Sequence, residues 1–239
     1  MKLIVFVCLF VLILFGCSQQ NKNISMQDKK IYEFSWCSYK EGFQAQDLNN
    51  ELISYLGFLK NLKDQHGLYK ETKYLNPSFI QKKYDFSWLN IFENELEKKA
   101  FYEFAKNSEI YKNWLSSKDE IIICDTQKQT FYETNTMKGY ELSDGDQTYI
   151  GFCKLKDGFD FSYFMSEIRS NSTFADRPYN QAVLIPDFNE TDFNLLIYLE
   201  TNLVLNDLDL IKRNGLDNAC EEYKNYPRNS LLFNTYIID

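Results

Sequence analysis

The sequence contains one histidine, and its position limits the acid–base chemistry on offer. His66 stands in Asp64-Gln65-His66-Gly67, where the glycine reads as a helix terminator. An imidazole there complements the negative helix end, so His66 reads as a capping or surface residue and not as a general base. Glu41 and Asp157 sit in turns and read as solvated carboxylates; Glu221-Glu222 is a further acidic pair. Cys37, Cys124, Cys153 and Cys220 form an even set with neither a CxxC nor zinc-type spacing. They permit two disulfides, in any of three pairings, or four buried thiols. GxSxG, HExxH, P-loop, GxGxxG and EF-hand patterns are absent, and Asp144-Gly145-Asp146 reads as a turn. No metal site and no cofactor is expected from these residues.

Aromatic side chains, 17% of the chain, are the richer resource. Strand alternation puts Phe34, Trp36 and Ser38 on one face of residues 32–39, and Ser35, Cys37 and Tyr39 on the other. In residues 147–155, Ile150, Phe152 and Lys154 oppose Gly151, Cys153 and Leu155. Phe86, Trp88, Asn90 and Phe92 share a face of residues 84–92.

The elements that must position these groups come in two copies. Trp36-Cys37-Ser38-Tyr39-Lys40-Glu41-Gly42-Phe43 aligns with Phe152-Cys153-Lys154-Leu155-Lys156-Asp157-Gly158-Phe159, an offset of about 116 residues. The first copy opens with a strand at 32–39. A helix follows from 44, with Leu48, Leu52, Tyr55, Leu56, Leu59 and Leu62 at helical spacing. Strands at 72–75 and 84–92, a helix at 95–116 and a strand at 120–126 complete it. The second copy reads as strand 147–155, helix 161–170, strands 181–185 and 193–200, helix 205–223 and strand 231–238. The fold expected is therefore α+β: two tandem ferredoxin-like βαββαβ units.

A strand running into Leu155-Lys156-Asp157-Gly158 and then a helix resembles the opening of the dimeric α+β barrel proteins. The resemblance implies two units packed sheet to sheet, an intrachain pseudo-dimer made of residues 31–135 and 136–239. It turns Phe34, Trp36, Ile150 and Phe152 toward the opposite sheet. Packing of the two sheets accounts for those rings without a ligand. The functional alternative is an aromatic-lined pocket between the sheets, formed by Phe34, Trp36, Ser38, Trp88, Asn90, Phe152 and Lys154 and suited to a small apolar or aromatic molecule. First and last strands are neighbours in such a unit, which implies the pairs Cys37–Cys124 and Cys153–Cys220. Relatives that bind or degrade haem place histidines on the sheet or a facing helix, and no histidine of this sequence falls there.

The N-terminus is read separately. Leu14-Phe15-Gly16-Cys17, after one lysine and a short apolar run, resembles a bacterial lipobox. That implies a signal peptide at 1–16, lipidation of Cys17, a tether to residue 30, and a place in the cell envelope, at the outer membrane facing the periplasm. A formal charge of −8 argues against nucleic acid as a partner. With every sharp catalytic motif missing, the expectation is a non-catalytic, membrane-anchored binding or interaction module and not an enzyme. The alternative is a cofactor-independent monooxygenase-like enzyme, or a carrier of small apolar ligands, using the barrel interior.

Overall fold

The computed structural model describes residues 29–68, 70–77, 84–125, 128–137, 139, 141–170, 179–188, 193–202, 219–221 and 230–238. Its elements are β1 (Ile31–Tyr39), α1 (Ala45–His66), β2 (Glu71–Pro77), β3 (Phe86–Phe92), α2 (Glu95–Asn107), α3 (Glu109–Ile121), β4 (Ile122–Cys124) and β5 (Gln129–Met137) in the first half. In the second half they are β6 (Gln147–Cys153), α4 (Phe161–Ser170), β7 (Asn180–Pro186), β8 (Leu195–Thr201) and β9 (Ser230–Ile238).

The strands run β3-β2-β9-β6-β8-β7-β5-β1, and a β3–β1 pairing closes the ring. Each half contributes four strands in the order last, first, third, second: β5-β1-β3-β2 and β9-β6-β8-β7. These are two ferredoxin-like units packed as a pseudo-dimer, and the seams are β2–β9 and β5–β7. Closure leaves few sheet edges open to unwanted pairing.

The repeated octapeptide explains why the halves match. Phe43 N–H donates to Lys40 O at 3.0 Å, and Phe159 N–H donates to Lys156 O at 3.0 Å. The third residue of each turn is a glycine with positive φ, 88° at Gly42 and 85° at Gly158, as a type II turn requires. Beyond the turns the match persists. Tyr39 N–H donates to the Asp85 carboxylate at 2.7 Å, and Leu155 N–H donates to Asn194 Oδ1 at 3.0 Å.

Side-chain alternation splits the core into layers. Tyr32, Phe34, Trp36, Leu89, Ile91, Phe131, Leu196 and Tyr198 pack inside the barrel. On the helix side of the first half, Tyr55, Phe58, Trp88, Phe92, Phe101 and Trp114 form a second layer, and Cys153, Phe164, Val183 and Ile197 anchor a third. Burying one such ring stabilises the fold by about 1.5–3 kcal/mol.

Three local expectations change. The helix expected over 95–116 divides at Ser108, whose backbone turns extended and whose side chain accepts from Tyr111 N–H at 3.3 Å, capping α3. The run 120–126 is mostly the end of α3 plus the three-residue β4. The strand that closes the first unit is β5, a segment not assigned from sequence because its polar residues, such as Gln129, Glu133 and Asn135, hide the alternation. The helix expected at 205–223 lies outside the described residues except for 219–221, as do Cys17 and the segment before it.

Candidate functional site

A pocket of about 410 Å³ opens between the first-half sheet and its helices. Its floor comes from β1, β3 and the residue before β2 (Ser35, Trp88, Asn90 and Lys70), and its wall from α1 and α3 (Tyr55, Tyr111 and Trp114). Lys40, Lys118 and Lys128 stand around it with Asp119 and Asp125.

Lys70 is the group that stands out. Its side chain is folded into the core and the residue is 6% exposed. Nζ donates to Asn90 Oδ1 at 2.8 Å and to the Tyr55 hydroxyl, and lies 4.3 Å from the centre of the Phe101 ring. Among the described residues no carboxylate pairs with it. Burial pushes the ammonium well below the ordinary lysine range, Lys128 adds to that, and Glu33 opposes it without prevailing. The carboxylate that acts on it is already engaged: Glu33 accepts from Lys128 Nζ at 2.9 Å and from the Tyr102 hydroxyl. Burial alone would raise the Glu33 carboxyl, but Lys128, Tyr102 and Lys98 outweigh it and hold it low.

The phenols around Lys70 stay protonated. Burial pushes Tyr55 far above the usual tyrosine value, and burial with Glu33 pushes Tyr111 up to about 12. Trp114 stacks on Tyr55 at 4.2 Å between centroids and lies 5.7 Å from Trp88. Its indole N–H is buried and has no hydrogen-bond partner among the described residues, a cost of about 1–3 kcal/mol unless an acceptor is supplied.

The fold contains its own control. Thr72 pairs with Asn90 as Gln181 pairs with Leu199, so the second-half counterparts of Lys70 and Asn90 are Tyr179 and Leu199. The same architecture therefore forms without a lysine or an asparagine at these places.

The residues singled out from sequence are divided between two layers. Trp88 and Asn90 line the helix-side pocket. Phe34 and Trp36 lie inside the barrel, where Phe152 packs at 4.9 Å on Phe193. Trp88 cannot join them, because β1 and β3 pair Ser35 with Trp88 and so turn Trp88 to the same face as Ser35. Ser38 is half-buried and lies opposite Ile123. Lys154 is exposed and pairs with Glu221 at 3.6 Å. The structure bonds Cys37 to Cys124, at the pocket edge, and Cys153 to Cys220. Lys70 and Trp114 were missed from sequence; a lysine bordering a strand carries no periodic signal, and only the packing shows its burial.

A haem group does not fit these residues. His66 is exposed at the end of α1, its ring 4.3 Å from Phe104. The pocket cysteines are bonded to each other, and the phenols are held protonated, so among the described residues no ordinary axial ligand faces the pocket. Among the described residues no group of three or more His, Cys, Asp or Glu is placed to hold a metal ion.

The inside of the barrel holds a second polar cluster. Lys73 of β2 pairs with Glu71 at 2.7 Å and with Glu200 of β8, which also accepts from the Tyr198 hydroxyl. Burial would lower the Lys73 ammonium, but Glu200 and Glu71 outweigh it and raise it. This pair ties the halves together at a cavity of about 370 Å³.

No family model and no curated protein matches the chain. Solved structures do. A single-site variant of chlorite dismutase from Candidatus Nitrospira defluvii matches with a TM-score of 0.58 at 10% identity, over 92% of this chain and 96% of that one. The imidazole complex of that dismutase gives 0.54 at 8% identity, over 88% and 92%. A "putative monooxygenase" from Lactobacillus acidophilus NCFM gives 0.53 at 9% identity, over 87% and 95%. At these identities the likeness is one of fold, and it is nearly end to end.

These matches correct the functional expectation. The non-catalytic, membrane-anchored module is withdrawn, because the fold followed over nine-tenths of the chain is one that a named enzyme also has. The lipid anchor, the membrane as partner and the outer-membrane placement are withdrawn with it. No described helix is long and apolar enough to cross a membrane.

Proposed function

We propose that the chain is a small-molecule enzyme of the cofactor-independent oxygenase type, with its active site in the helix-side pocket of the first half. The observation that carries this reading is Lys70: a buried amine with no carboxylate partner among the described residues, in the pocket floor, where the second copy of the fold has a tyrosine. The likeness in fold to the "putative monooxygenase" from Lactobacillus acidophilus supports the reaction class.

The chemistry follows from the surroundings. A neutral amine in an apolar site is a competent base. A planar phenol or enol lying against Trp88 and Trp114 would pass its proton to Lys70 Nζ. The Asn90 carbonyl orients the resulting ammonium, and the Trp114 N–H is available to the substrate oxygen. The anion left behind is rich in electrons and reduces dioxygen directly, so no cofactor is needed. Lys128 and Lys118 place positive charge near the developing anion.

Oxygen uptake with naphthohydroquinone tests this. The wild-type chain should consume oxygen faster than buffer, and Lys70→Met should lose about 100-fold or more of that rate. Equal rates for the two proteins would remove the proposal.

A further inference from the structure

We infer that the Lys70 amine is also a nucleophile toward carbonyl carbon, so that the substrate class of the helix-side pocket is the enolisable aldehydes and ketones, activated as an imine on Lys70. This rests on the proposed function for its site but not for its chemistry: a base needs only a proton to take, whereas imine formation needs a carbonyl within bonding distance and an acid beside it.

The pocket supplies both requirements. A volume of about 410 Å³ adjoins Lys70, enough room for a small dicarbonyl beside the amine. Tyr55 is in hydrogen-bond contact with Nζ and keeps its phenolic proton. Nitrogen attack on the carbonyl forms the C–N bond as the C=O π bond breaks, and one proton passes from nitrogen to that oxygen, giving the carbinolamine. The Tyr55 hydroxyl protonates the carbinolamine hydroxyl, which leaves as water when the iminium C=N forms. The phenolate then takes a proton from the α carbon, which restores the phenol and gives an enamine, the same kind of electron-rich carbon that the oxygenase reading requires. Asn90 Oδ1, 2.8 Å from Nζ, holds the amine with its lone pair directed away from the amide. Asn90 does not depend on Lys70 for its place, since Trp88 Nε1 and Thr72 Oγ1 also donate to it, at 3.2 and 3.3 Å.

The surface lysines differ in kind. Lys60, Lys99 and Lys112 lie in exposed ion pairs with Asp64, Glu103 and Glu109.

Acetylacetone is a suitable probe, because a neutral amine converts it to a stable enaminone with release of one water and no added reductant. At neutral pH the wild-type chain should gain one enaminone, with its near-ultraviolet absorbance, and peptide mass mapping should place it on Lys70. Lys70→Met should take up none at matched concentration, and Lys99→Met, at an exposed lysine outside the pocket, should keep the adduct on Lys70. Mapping the wild-type adduct needs no variant, so misfolding of Lys70→Met would not obscure the result. Adducts spread over surface lysines, or none on Lys70, would overturn the inference. Oxygen uptake that depends on Lys70 in a protein forming no adduct would leave the base role standing and remove only the nucleophilic one.

Discussion

Lys70 Nζ lies 2.8 Å from Asn90 Oδ1, both groups are buried, and the corresponding pair in the second half is Tyr179 and Leu199. A polar pair that the duplicated fold does without is costly to stability, and its retention in one half points to chemistry.

Replacing Lys70 by methionine should therefore stabilise the protein at neutral pH. Asn90 keeps two other donors, and Tyr55 keeps Thr72 at 3.4 Å. A gain of about 1 kcal/mol, or about 2–4 °C in Tm, is expected in calorimetry. The sign with pH follows from the lowered ammonium. Between its folded value and the ordinary 10.5 the unfolded chain binds more protons, so wild-type stability rises with pH and the advantage of the variant shrinks.

Activity should show one ascending limb with pH. Lys70 works as the free amine, so the rate should climb through its titration, well under the ordinary lysine value. Stopped-flow oxygen consumption from acid to alkaline pH measures this. A rate that is flat over the whole range would argue against an amine base.

Glu200→Ala should weaken the seam. It leaves Lys73 buried with Glu71 alone, and losing one member of a buried pair costs about 3–5 kcal/mol. Urea titration should show the loss. The raised Lys73 ammonium contributes its stability fully below the ordinary lysine value and loses it as pH climbs through the folded value above that. The variant's deficit should accordingly narrow only in strong alkali.

Non-reducing peptide maps should show Cys37 joined to Cys124 and Cys153 to Cys220. These close loops spanning 87 and 67 positions, and breaking either by Cys→Ser should cost about 2–5 kcal/mol. Free thiols at these four positions in the denatured, unreduced chain would contradict the arrangement.

The halves were legible in the sequence because the Cys37 and Cys153 octapeptides encode the same turn, and a glycine with positive φ leaves an unmistakable mark. The strands that alternate cleanly, such as β1 and β6, were legible for the same reason. β5 was not, since its outward residues are polar and one of its two partners, β7, lies in the other half. The site was half legible. Trp88 and Asn90 could be picked out as a pair on one face, but which face met the helices depended on the pairing of Trp88 with Ser35. Lys70 carried no signal at all, because nothing local distinguishes a buried lysine from the exposed ones at the start of many strands.

Nuclear magnetic resonance titration of the lysine side chains, with Lys70→Met used to assign the signal, tests the account most directly. One lysine, absent from the variant, should titrate well below 10.5 and shift when a planar ligand enters the pocket. If every lysine titrates at or above that value, Lys70 is an ordinary cation and the helix-side pocket has no reactive amine.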